Sequence, residues 1–296
     1  MSSQFSAEVS DSTLAMYNSN LRTIAKALGV KDWIKSGNWL FQKQNELFKF
    51  IEETPNIHTR KNRVASLLWF AELHAVPAPV TFRLKSIQID CFSQLQKGYN
   101  TNEKNDKQED NWVTLKEIDD KIAELKEPDP HTSGHAKKIT RIKYLMLLFH
   151  RHLPIRNDLR MTKIVSGDIP EDTSVNYLVK QGDRWILVLN KYKTAGTYGQ
   201  KVIDVPDVVG EELTKHLKIG EWFYQTHPSG EPVSTQQYSN TFRSIFPDKK
   251  VGSTQIRRTV VSSVHQPKPH ELEAKQELAF IMGHSVGTAQ SIYAKI

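Results

Sequence analysis

Apolar residues at helical spacing fill the first hundred residues with no convincing strand among them, which restricts that part of the chain to a helical fold. Leu14, Tyr17, Leu21, Ile24 and Leu28 form one stripe, with Ser12 as candidate cap and Gly29 as its stop. Leu40, Leu47, Phe48 and Ile51 predict a second helix that ends ahead of Pro55. Val64, Leu67, Leu68 and Leu73 predict a third, opened by the basic cluster HTRKNR, and Val80, Leu84, Ile87, Cys91 and Leu95 a fourth. The polar run from Lys97 to Trp112 then lacks apolar periodicity and reads as a linker. It places a domain boundary near Asp110, separating a helical domain, residues 1–108, from a second domain, residues 109–296.

The second part is mixed. TLKEIDDKIAEL and AKKITRIKYLMLLFH have helical patterns. Three β-prone runs follow between Val175 and Pro206, separated by turn residues at Gln181–Asp183 and Thr194–Gly199. From Glu211 the pattern is helical again. The expected fold is therefore mainly α with one small antiparallel β-sheet, an all-α N-terminal domain preceding an α+β domain.

A content of 38% hydrophobic and 25% charged residues over 296 positions supports a packed core and argues against disorder. The net charge of +7 favours a polyanionic partner, nucleic acid above all. A single cysteine, Cys91, excludes an internal disulfide and a cysteine-based zinc site. It falls on the apolar stripe of the fourth helix, where a buried structural thiol is expected. His265 and His270 lie in a Pro- and Glu-containing loop without ligand spacing and read as surface residues, so no metal or other cofactor is expected. Neither a signal sequence nor an apolar run of membrane-spanning length is visible, which suggests a cytosolic or nuclear protein without a membrane partner.

Four short stretches carry residues suited to chemistry. In LPIRNDLRM, Arg156 and Asp158 lie two apart; a solvated helix end would carry such charges, yet a carboxylate beside an arginine also holds its fork toward phosphate oxygens. The turn LNKYKTAGTYG offers Lys191 and Lys193, whose shared parity does not distinguish them. Arg257 and Arg258 stand near a helix start, opposing its dipole unless something negative such as phosphate is close. IMGHSVGTAQSIY sets His284 nine residues before Tyr293, which by itself fits an amphipathic last helix equally well.

Taken in order, these stretches resemble the tyrosine recombinases, the phage-integrase family that shares its catalytic domain with type IB topoisomerases. The resemblance spans nearly the whole chain, with a core-binding domain ahead of a catalytic one. Arg156 in PIRNDL matches the family's first arginine and Asp158 its supporting acid. The family's turn lysine is commonly Lys-Thr, which selects Lys193. Thr254-Gln255-Ile256-Arg257 matches the His-x-x-Arg box at its arginine, His284 the Gly-His position and Tyr293 the nucleophile. Thr254 departs from the usual His or Lys, removing a titratable group. Only three residues follow Tyr293, where many members continue into a helix that docks on a neighbouring subunit.

The resemblance implies that Arg156, Arg257 and His284 neutralise the nonbridging oxygens of a phosphodiester. Tyr293 would attack to leave a 3′-phosphotyrosine, and Lys193 would protonate the departing 5′ oxygen. Arg60, Lys61, Arg63 and Arg258 are the expected DNA contacts. Double-stranded DNA is the implied partner, with assembly of a tetramer on paired sites in the cytoplasm or nucleus of a host, or in a virion. A type IB topoisomerase or an architectural DNA-binding protein on the same fold would share most of these features.

Overall fold

The computed structural model describes residues 9–101, 103–127, 131, 134–225, 231–265 and 272–294. It forms two compact units, Met1–Thr101 and Asn102–Ile296.

The first unit is helical: α1 (Asp11–Ala27), α2 (Asn38–Gln42), α3 (Gln44–Glu52), α4 (Ile57–Leu73) and α5 (Ala78–Asn100). Ser10, not Ser12, caps α1, its hydroxyl accepting from the Thr13 N–H, because Ser12 already lies inside the helix. Gly29 ends this segment at φ +69°, a conformation glycine adopts without a Cβ clash. The second expected helix is divided into α2 and α3 at Lys43, whose φ of −108° and ψ of 22° leave the helical region. Leu21 and Ile24 of α1 pack with Leu40, Leu47, Ile51, Val64, Leu67, Phe70 and Leu84 in one core. Cys91 is buried on α5, and burial raises its thiol pKa above the ordinary value.

The second unit begins inside the polar run. Asp106–Asp110 form α6, closed by a capping box in which Asn105 and Gln108 bond each other's backbone N–H groups. Then come α7 (Leu115–Lys126), α8 (Gly134–His152), a 3₁₀ turn (Asn157–Met161), β1 (Thr162–Ser166), β2 (Asn176–Gln181), β3 (Arg184–Leu189), α9 (Ala195–Tyr198) and β4 (Lys201–Asp204). They are followed by α10 (Asp207–His216), α11 (Thr235–Arg243), α12 (Ser253–His265), α13 (Leu272–Met282), α14 (Val286–Thr288) and a π turn over Ala289–Tyr293.

The three β-prone runs form β2, β3 and β4 and pair antiparallel as expected. A fourth strand, β1, adds to β2 in parallel and makes the sheet mixed, in the order β1-β2-β3-β4. Its five residues, TKIVS, directly follow the arginine motif, too short a run for alternation to announce. Register places Ile164, Leu178, Leu187 and Ile203 side by side across the four strands, all buried in the main core. The opposite face buries Tyr177, Val179, Ile186 and Val188 in a smaller cluster. Helix α8 is buried all round from Tyr144 to His150 and forms the centre of the unit, which explains its unbroken apolar run. It delivers the chain to Arg156, while α12 and the final turns bring in the C-terminal residues.

Candidate active site

Three side chains from separated segments of the second unit converge on one atom, the Nε2 of His284. Arg156 Nη2 lies 2.8 Å from it, the Tyr293 hydroxyl 3.2 Å and Arg257 Nη2 3.4 Å. The His284 and Tyr293 rings lie 5.2 Å apart, and the Arg257 guanidinium stacks over the Tyr293 ring at 4.6 Å. A guanidinium has no acceptor, so Nε2 must accept and the imidazole is neutral, with its proton on Nδ1. Burial first, then the charges of Arg156, Arg257, Lys201 and Lys193, push the His284 pKa down to about 4.

Local structure explains the convergence. Arg156 ends the segment after α8 in extended backbone. Asp158 lies in the first turn of the 3₁₀ segment beyond it. Burial raises the Asp158 carboxyl pKa, while the charges of Arg156 and Arg257 oppose that rise. Arg257 is only 2% exposed, in the first half of α12. Gly283 turns the chain at φ +68° after α13, and its N–H bonds Phe280 O. Ser285 caps α14 through the Thr288 N–H, and the π turn then presents Tyr293 back toward His284.

Asn176, fully buried at the start of β2, ties the arginine motif to the hairpin. Its Oδ1 accepts from the N–H groups of Asn190 and Lys191, and its Nδ2 donates to the carbonyls of Asp158 and Lys191. The sequence gives no hint of this, because an asparagine beside a strand ordinarily signals a turn.

The remaining sequence candidates are placed differently. Lys193 is exposed in the β3–β4 connection, whereas Lys201, at the start of β4, is 2% exposed and directed at the Gly283 turn. Thr254 is exposed one turn before Arg257, and Arg258 is half-buried. In the first unit Arg60 donates through Nε and Nη2 to Thr54 O, and Arg63 through Nη1 to Thr54 Oγ1 while stacking on Phe50. Lys61 lies over the Phe92 ring. Arg60 and Arg63 thus brace the turn between α3 and α4, while Lys61 packs on α5. The surface assignment of His265 and His270 falls on side chains outside the described residues. Among the described residues, no three His, Cys, Asp or Glu side chains are grouped as a metal would require, and no helix is long and apolar enough to cross a membrane.

Gly283 is the hinge of this geometry. A Cβ there would stand 2.9 Å from Thr194 Oγ1 and 3.4 Å from Lys201 Nζ. Gly283→Ala is expected to lower stability by about 1–2 kcal/mol from the left-handed backbone alone, measured as a shift in denaturant midpoint.

His150 lies beneath the site, fully buried, with Nδ1 donating to Met146 O at 2.8 Å and the ring edge-on to Phe242. Burial pushes its pKa down to about 4. The unfolded chain takes up this proton near the ordinary 6.5, so unfolding binds a proton between those values. Stability contributed by neutral His150 is thus present above about pH 6.5 and is lost as pH falls toward 4, by up to about 3 kcal/mol. His150→Phe is expected to flatten that part of the stability–pH curve, read by urea titrations across the window.

No protein-family model and no curated protein matches the chain. Among solved structures, the chain is similar to a crystal structure of XerA recombinase, with 15% identity, a TM-score of 0.42, and coverage of 97% of this chain and 88% of that one.

Proposed function

We propose that this protein cleaves and rejoins duplex DNA through a covalent tyrosine intermediate, acting as a site-specific recombinase of the integrase kind. The observation that carries this function is the meeting of two guanidinium groups and a phenol at His284 Nε2. A phosphodiester bound there offers the arginines two anionic oxygens in place of a single nitrogen lone pair. Arg156 and Arg257 each present parallel N–H donors and keep their charge, which suits them to the negative charge that develops in the transition state.

The anion would also offset the arginine charges that depress His284, restoring its basicity as the arginines turn to oxygen. Tyr293 then attacks phosphorus: its Oη–P bond forms, the P–O5′ bond breaks, and the phenolic proton passes to His284 Nε2, already at hydrogen-bond distance. A lysine of the β3–β4 hairpin protonates the departing oxygen. Reversal by another strand's 5′ hydroxyl rejoins DNA with no nucleotide cofactor, because the phosphotyrosine conserves the bond.

In the N-terminal unit Arg60, Lys61 and Arg63 supply a fixed positive field to the DNA backbone rather than free donors, two of them being committed to Thr54. Assembly into a tetramer on two paired sites would allow strand exchange. The test is covalent trapping. The protein is incubated with a pool of nicked duplexes randomised around the nick, and denaturant-resistant adducts are digested and mapped. A nucleotide remnant on the peptide holding Tyr293 supports the function; a remnant on another residue, or no adduct, overturns it.

A further inference from the structure

We infer that Lys201, and not Lys193, is the proton donor to the departing 5′ oxygen, an inference that rests on the strand-cleavage function above. The two lysines sit at opposite ends of the β3–β4 connection, and their surroundings differ sharply. Lys193 is exposed. Lys201 is enclosed: its Nζ is 5.3 Å from the ring centroids of both Tyr192 and Tyr198 and 4.7 Å from that of Phe280. It donates to the carbonyl of Phe280 in the last turn of α13, where the helix dipole favours a cation.

This places the ammonium beside Gly283, the residue that precedes His284. The Gly283 turn passes so close that a Cβ on Gly283 would meet Nζ at 3.4 Å. Of the two lysines, Lys201 also acts more strongly on the His284 imidazole. Aromatic faces and one carbonyl leave N–H donors of the ammonium without an oxygen partner among the described residues, so the group is held in place yet able to give up a proton. Burial, followed by the Arg156 charge, lowers its pKa from the ordinary 10.5, the direction that makes an ammonium a better acid near neutral pH. Lys193, in open solvent, gains no such assistance.

The balance of the step is simple. As Tyr293 Oη bonds to phosphorus and P–O5′ breaks, one proton moves from Lys201 Nζ to O5′, leaving a neutral amine, while the phenolic proton resides on His284. Religation returns both protons.

A leaving group that needs no proton separates this role from a structural one. Nicked duplexes are made from the trapped pool with either oxygen or sulfur bridging phosphorus and C5′, since a thiolate departs without an acid. Lys201→Met, which keeps the apolar stem among the three rings, is expected to slow adduct formation about 10²–10⁴-fold on the oxygen substrate and to approach the wild-type rate on sulfur. Lys201→Gln is expected to behave alike, and Lys193→Met to react at near wild-type rates on both. An oxygen-specific loss in Lys193→Met instead would overturn the inference. So would equal losses on both substrates in a Lys201 variant that melts like wild type, which would leave Lys201 a positioning residue. If the wild-type protein forms no adduct on either substrate, the strand-cleavage function fails, and this inference with it.

Discussion

Tyr293→Phe is expected to abolish the covalent protein–DNA adduct while leaving folding and DNA binding near wild type. The hydroxyl lies 3.2 Å from His284 Nε2 and within reach of the Arg257 guanidinium, and the rest of the side chain contributes packing. Its ring lies under the Arg257 guanidinium and beside the His284 imidazole, contacts that phenylalanine preserves. Losing one half-buried hydrogen bond costs about 0.5–1.5 kcal/mol, and Arg156 remains on the same acceptor. Removing the proposed nucleophile leaves no oxygen there to bond phosphorus, so adduct yield should fall to background on every member of the duplex pool. Electrophoretic mobility shifts at fixed salt check binding, and thermal unfolding checks the fold. A variant that still forms adduct would transfer the nucleophile to another residue.

Much of this architecture is written in the periodicity of the chain. The stripe Leu21–Ile24 and the run Tyr144–His150 marked buried helices because burial on one face or all round is what apolar spacing records. The turn residues at Gln181–Asp183 bounded β2 and β3 for the same reason, since turn chemistry is local. Spacing does not record which side chains meet across long separations. Arg156, Arg257, His284 and Tyr293 were visible as an ordered set through their family resemblance, but their meeting at Nε2 depends on the fold of the whole second unit. The lysines show the limit most clearly. The Lys-Thr dipeptide drew attention to Lys193, whereas burial among Tyr192, Tyr198 and Phe280 distinguishes Lys201, and Phe280 lies 79 positions further along the chain. Asn176 and His150 were silent for a related reason: their partners are backbone carbonyls and N–H groups, which any residue type can supply.

Arg257→Met is expected to separate activity from stability. The guanidinium is almost fully buried, its Nε has no hydrogen-bond partner among the described residues, and the like charge of Arg156 acts against it. Burial lowers its pKa from the ordinary value, so the native state holds this charge at a cost. Asp158 offsets part of that cost and would retain Arg156 as a neighbouring cation in the variant. Methionine fills much of the same space against the Tyr293 ring with no charge to desolvate. Stability should therefore stay level or rise by about 1–2 kcal/mol, as found when incompletely paired buried ions give way to apolar side chains. Adduct formation should fall about 10²–10³-fold, the usual loss when one donor to a developing oxyanion is removed. Arg257→Lys should recover little of that rate, because one ammonium replaces a planar fork that spans two oxygens. Stability is read from denaturant midpoints and rate from single-turnover adduct formation on the trapped duplexes. If rate and stability fell together, Arg257 would be a structural cation, and the site's two-arginine grip on phosphate would be lost.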